Sequence, residues 1–219
     1  VAAFAGNAQA QLYWNTNGTG TNITAANWST SATGPFTSAW VSGTNVVFTT
    51  NSSITYVTTT PVGNITVTNG ATVTWTGAGT YTTAGNAIRT FDIGPGATLN
   101  WSSQSLSTSG SSGLIKAGAG TWNIVNSGGP GSMPTNGITL NAGTIITDAS
   151  KNYSPSAGPF YINGGTWQSG SSGTNGFNGL VIGGDFTVAG TGNTAMNGTN
   201  ITSGISLGSA TRTITNTTT

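Results

Sequence analysis

The chain has 219 residues, of which four are cationic (Arg89, Lys116, Lys151, Arg212) and three anionic (Asp92, Asp148, Asp185), and it contains no Glu, His or Cys. Those absences exclude Cys/His zinc sites, thiol or histidine triads, disulfide stapling and Glu-based acid–base pairs. A net charge of +1 with no basic cluster argues against a nucleic-acid partner.

Thr (43), Gly (35), Ser (24) and Asn (23) supply more than half of the chain and favour strands and turns, while 35% apolar residues, with seven Trp and seven Phe, suffice for a core. The expected class is all-β. No apolar run approaches the roughly 20 residues that span a bilayer as a helix, so no membrane span is expected.

In chain order, residues 1–10 form a small, mildly apolar tail ending in Ala8-Gln-Ala10, which looks like a leader cleavage site. Such a tail has too little apolar area to fold on itself and needs tying down. Strand addition to an open edge, with Val1 and Phe4 entering a groove, is the expected device, the edge being that of a neighbouring subunit in preference to the alternative of its own solenoid. Residues 11–63 read as an irregular β region or cap. Its strands are Gln11–Trp14, Ala39–Val41, Asn45–Phe48 and Ser53–Val57, with loops at Asn17-Gly18 and Gly34-Pro35.

From residue 64 to the end one pattern recurs: alternating apolar residues, a Gly/Asn corner, then a second alternating pair. Ile65–Val67 with Val73–Trp75, Phe91–Ile93 with Leu99–Trp101, and Ile138–Leu140 with Ile145 are examples. Corner glycines at 70, 96, 120, 143, 165 and 184 are spaced by 26, 24, 23, 22 and 19 residues, a ragged period that suits one coil of a β-solenoid. Parallel stacking of at least five coils should place Val67, Ile93, Leu140, Ile162, Ile182 and Leu207 on an inward face. An antiparallel β-sandwich is the alternative, since short strands with turn signals fit it too. Trp75, Trp101, Trp122, Trp167 and Phe186 read as an inward core ladder, because each alternates with polar residues. Exposed aromatics stacking on sugar rings are the competing reading.

Leu114-Ile-Lys-Ala-Gly-Ala-Gly-Thr-Trp-Asn-Ile-Val-Asn126, followed by Gly137-Ile-Thr-Leu-Asn-Ala-Gly-Thr-Ile-Ile146, resembles the autotransporter-associated β-strand repeat. Tyr13-Trp14, Asn27-Trp28 and Phe48 are similar to the start of large secreted bacterial proteins built from such repeats. The resemblance implies a right-handed parallel β-helix outside the cell, used for display, adhesion or surface structure, and a structural role for Lys116.

Little here suggests chemistry. Glycoside hydrolysis needs two carboxylates roughly 5 to 9.5 Å apart, and Asp92, Asp148 and Asp185 fall at unlike places in their repeats. Arg89 and Asp92 read as a local surface ion pair. No Asp recurs at a period suited to calcium, and no helix follows Gly118-Ala-Gly120 to make it a phosphate loop. No catalytic residue, metal or cofactor is expected. Ten Asn-x-Ser/Thr sequons (Asn17, Asn22, Asn27, Asn51, Asn64, Asn100, Asn152, Asn197, Asn200, Asn216) occur near the frequency that composition alone gives, so glycosylation is a candidate modification only.

The expected function is that of a secreted structural protein at or beyond the cell surface, with copies of itself as partners, assembling into a fibre or layer by end-to-end and strand-addition contacts. The alternative is a monomeric adhesin or carbohydrate-binding passenger.

Overall fold

The computed structural model describes residues 10–14, 19–56, 59–77, 79–83, 87–102, 105–106, 112–124, 134–147, 158–170, 173–175, 178–190, 194–196 and 204–218. Val1, Phe4, Asn17, Asp148, Lys151, Asn152, Asn197 and Asn200 lie outside the described residues. Among those described, all regular structure is strand.

Two long sheets dominate. The first has ten strands in the order Trp28–Ser29, Gln11–Trp14, Asn45–Phe48, Ile65–Val67, Ile88–Ile93, Gly113–Ala117, Ile138–Leu140, Phe160–Ile162, Leu180–Ile182 and Ile205–Ser206. The second has nine, in the order Thr19–Asn22, Ser52–Thr55, Thr72–Thr76, Thr98–Trp101, Thr121–Asn123, Thr144–Thr147, Thr166–Ser169, Phe186–Gly190 and Ile214–Asn216. Thr60–Val62, Thr80–Thr83 and Ser105–Leu106 line a third side of the early coils, and Gly173–Asn175 pairs with Thr194–Met196 further along.

The chain alternates between the two long sheets and each strand pairs in parallel with its counterpart one coil away, as Ile65–Val67 does with Ile88–Ile93 and Ile138–Leu140 with Phe160–Ile162. The architecture is therefore a β-solenoid of at least five coils. The antiparallel sandwich is set aside, since the antiparallel pairing among described strands is confined to Gln11–Trp14 with Trp28–Ser29.

The ragged repeat has a simple cause. From the ten-stranded to the nine-stranded sheet the corner takes three or four residues in every coil before Ile205–Ser206, where it lengthens to seven, whereas the return to the next coil varies in length throughout. Backbone proximity holds the short corner fixed: Gly143 and Gly165 have φ of 70° and 80°, and a Cβ on Gly165 would strike the carbonyl oxygen of Gly143 on the coil before it.

Inside, side chains at alternate positions are buried. Val67, Ile93, Leu140, Ile162 and Ile182 all face the core. They occupy two neighbouring rows, however: Val67 pairs with Ile93, while Leu140, Ile162 and Ile182 continue a row from Ile65, Phe91 and Lys116. Leu207 departs from expectation at 49% exposed, because no described strand packs over it.

Trp75, Trp101, Trp122, Trp167 and Phe186 are buried. Trp75 and Trp101 are register partners, whereas Trp122, Ile145, Trp167 and Val188 share the adjacent inward row with Val73 and Leu99. The two rows mesh diagonally. Trp101 and Trp122 have centroids 5.4 Å apart, and Phe91 meets Trp122 edge-on at 4.9 Å. Phe186 stands outside both rows, opposite Ile214.

Residues 11–63 contribute strands to both long sheets, in parallel register from Asn45 onward with the coils that follow. Their particular feature is a closed end. Trp28–Ser29 lies antiparallel on the outer edge of Gln11–Trp14, and Trp28 packs between Trp14 (4.9 Å) and Trp40 (5.0 Å) while its indole N–H donates to the Ile23 carbonyl. Ala39–Val41, expected as a strand, is not one: Trp40 covers Trp28 and Val41 is exposed.

Outside, the nine-stranded sheet carries a single register row of threonines: Thr72, Thr98, Thr121, Thr144, Thr166, Thr187 and Thr215. Burial decides which substitutions matter. Trp122→Ala should cost about 3–5 kcal/mol, whereas Thr121→Ala, its outward neighbour, should stay within about 0.5 kcal/mol of the parent; urea unfolding followed by tryptophan fluorescence reads both.

Candidate functional site

The most unusual side chain is Lys116. Its position on Gly113–Ala117 falls on an inward row between Phe91 and Leu140, and the residue is fully buried. The aliphatic stem replaces the apolar side chain that other coils place there, while the ammonium reaches the corner beyond the strand. Nζ donates to the carbonyls of Ala117 (2.7 Å), Gly118 (2.8 Å) and, one coil further on, Ala142 (3.1 Å). One cation thus satisfies three backbone acceptors on two coils.

This arrangement constrains its surroundings. A Cβ on Gly143 would meet Nζ at 2.7 Å as well as the Gly120 carbonyl, so the corner has room only for glycine. Burial lowers the Lys116 pKa from 10.5 to about 8, and the nearby negative charge of Asp92 opposes that shift. A second buried titratable group, Tyr81, has its phenol pushed upward by burial.

The charged residues do not gather. Asp92 is exposed on the outer face of Ile88–Ile93, while Arg89 on the same strand is buried on the inner face. The surface pairing expected of them is therefore absent, since three positions along a strand put two side chains on opposite faces. Asp185 is exposed at a corner and accepts a hydrogen bond from Thr213 N at 2.8 Å, tying its coil to the next. Among the described residues no three His, Cys, Asp or Glu side chains come together in a way that could hold a metal ion, and no helix is long and apolar enough to cross a membrane.

The sequons occupy a structural pattern that sequence reading missed. Asn45 Oδ1 accepts from Asn64 N (2.8 Å), and Asn64 Oδ1 accepts from Thr90 N (2.9 Å), so asparagines step from coil to coil. Asn51 receives Thr72 N in the same way, Asn22 and Asn216 cap their own turns, and Asn123 donates to Asn100, which donates to Thr74. Asn163 likewise donates to Asn141. Recurrence of Asn at coil spacing was the available signal. Asn51 and Asn216 are exposed, while Asn22, Asn27, Asn64 and Asn100 are half-buried.

No family model, no curated protein and no solved structure matches this chain. The resemblance to the autotransporter-associated repeat accordingly rests on the residues of 114–146 alone.

Lys116 makes two measurable predictions. Lys116→Met keeps the stem and removes three donated hydrogen bonds, and should cost about 2–3 kcal/mol by urea unfolding at pH 7. The pH dependence follows from linkage. Above about pH 8 the folded state has released a proton that the unfolded lysine, near 10.5, still holds, so stability rises with pH. Above the ordinary tyrosine value of 10.0 the folded Tyr81 retains a proton that the unfolded state loses, so stability falls. A maximum just above pH 10 in thermal unfolding, where the two opposing slopes cancel, with the rising limb absent from Lys116→Met, is the expected result.

Proposed function

We propose that the protein is a structural subunit carried outside the cell, a β-solenoid rod that joins copies of itself end to end into a fibre or surface layer, and that it catalyses no reaction. The observation that carries this reading is the contrast between the two ends of the described solenoid.

At one end Trp28–Ser29 closes the ten-stranded sheet. At the other, Ile205 (55% exposed) and Ile214 (49%) sit in register with the buried Leu180 and Phe186, and Leu207 follows them. These are inward-row side chains with no described coil over them, on strands whose outer backbone edges pair with no described strand. The closure is confined to the ten-stranded sheet: in the nine-stranded sheet the edge strand at that end, Thr19–Asn22, pairs with no further described strand, which lets the Ile214–Asn216 edge of one copy continue into that edge of the next. The scarcity of charge supports the same reading, because little electrostatic repulsion keeps copies apart. The location outside the cell rests on the composition and on the repeat that residues 114–146 resemble.

The adhesin reading is the weaker one. Stacking on sugars needs exposed aromatic faces, and Trp14, Trp28, Trp75, Trp101, Trp122 and Trp167 are all buried.

Light scattering after size exclusion, together with electron microscopy, tests the assembly. The parent chain should form concentration-dependent oligomers or filaments, and Leu207→Lys combined with Ile214→Lys should stay monomeric with an unchanged circular dichroism spectrum. A parent that is monomeric at every concentration, or a double variant that assembles equally well, overturns the proposal.

A further inference from the structure

The outer face of the nine-stranded sheet has a feature that assembly through the ends does not use. Its threonine row runs from Thr72 to Thr215 without interruption, one residue per coil, on strands stacked about 4.8 Å apart. Parallel pairing in register makes this a straight array: each rung carries one hydroxyl and one methyl on a β-branched stem of restricted χ1. The five central rungs are half-buried and the two end rungs exposed, so the row lies along the surface.

Three further observations set this face apart. None of the row's hydroxyls hydrogen-bonds to the protein among the described residues, so all are available to an external partner. No strand of the nine-stranded sheet contains a charged residue, whereas Arg89, Asp92 and Lys116 all lie on the ten-stranded sheet. Two positions along, about 6.7 Å away, the earlier strands carry a second uncharged polar row of Ser53, Thr74, Asn100 and Asn123, held by the Asn123–Asn100–Thr74 chain of hydrogen bonds and continued by the equally uncharged Ile146, Gln168 and Ala189. The opposite outer face has no such order: its corresponding row reads Thr90, Ile115, Thr139, Tyr161, Val181 and Ser206.

We propose that this face binds the surface of ice. A crystalline water lattice offers what the row matches: a linear repeat of oxygen positions close to the coil spacing along the a axis of hexagonal ice, with sites for hydroxyls and hollows for methyls. Charged groups, which hold water in shells of their own, are absent from the row itself, and Asp185, at the corner beside Thr187, is engaged by Thr213 N at 2.8 Å. A flexible or soluble ligand has no need of a repeat sustained over seven consecutive strands of the sheet. This inference stands independently of the assembly through the ends.

The test uses the full chain and ice itself: inhibition of recrystallisation in a sucrose slurry, and partition of fluorescently labelled protein onto a growing ice hemisphere. The parent should be enriched on ice and slow recrystallisation relative to an equal concentration of serum albumin. Thr144→Lys and Thr166→Lys, both on the row, should each weaken inhibition by at least an order of magnitude, while Thr139→Lys on the opposite face should match the parent. Circular dichroism identifies any variant that fails to fold, and Thr144→Val, which keeps the shape and removes one hydroxyl, gives a milder loss in a folded background. A parent indistinguishable from albumin overturns the proposal, as does equal loss in Thr139→Lys. Row variants that abolish association between copies but leave ice behaviour unchanged also overturn it, and assign the face to a second copy of the chain.

Discussion

A side chain inside this molecule shares its axial slot, about 4.8 Å tall, with the residue directly above and the residue directly below. Everything else follows from that repeat distance. An indole stacked on an indole in every coil of one row would crowd that slot, and the structure meets the constraint by moving the aromatic residue sideways. Trp75 and Trp101 hold one row and Trp122 and Trp167 its neighbour, with Leu99 and Ile145 as spacers. Contacts along the stack are mostly edge-on, as between Trp75 and Trp101 (85°) or Phe91 and Trp122 (78°), the arrangement that ring quadrupoles favour. The cost is visible in the indole N–H groups of Trp75, Trp101 and Trp122, which find no acceptor among the described residues.

Lys116 answers the same constraint at the corner. Carbonyls turned inward by tight glycine corners need donors, and no backbone N–H is placed to supply them all. A long side chain entering from an apolar row provides three hydrogen bonds without interrupting the stack. Asparagines do the equivalent work on the outer edge, where a side-chain carbonyl on one coil receives a backbone N–H from the next. Polar groups in this chain therefore act as vertical ties, which is how a molecule almost without charged residues can still hold its coils in register.

Much of the fold was legible in the sequence because a solenoid coil imposes two periods at once, the alternation of two within a strand and the twenty-odd residues between corners. The row assignment was less legible. Aligning repeats on their Trp residues places Trp101 and Trp122 as equivalents; aligning them on the strand-opening threonine, as in Thr98-Leu-Asn-Trp101 and Thr121-Trp122, shows the offset at once. Ala39–Val41 misled because an apolar, aromatic triplet has strand propensity whether it enters a ladder or, as here, lids another tryptophan. Leu207 misled for the opposite reason: its pattern is that of a core residue, and burial depends on a neighbouring coil that local pattern does not reveal. The Asn ties were hidden by the sequon motif, which the same residues satisfy by composition.

The direction of the inter-coil hydrogen bonds has a mechanical consequence. Strands run across the long axis, so these bonds lie along it, and tension applied at the two ends loads them in peeling, a few at a time, instead of shearing a whole ladder together. Yielding should then proceed coil by coil. Each step frees the span between one asparagine tie and the next, 22 residues from Asn141 to Asn163, or ~75 Å of extended chain. The coil pinned by Lys116 should resist longest, since it cannot leave without breaking three side-chain hydrogen bonds that span two coils in addition to its backbone ladder. A rod built this way behaves as an extensible tether with a hard stop part-way along.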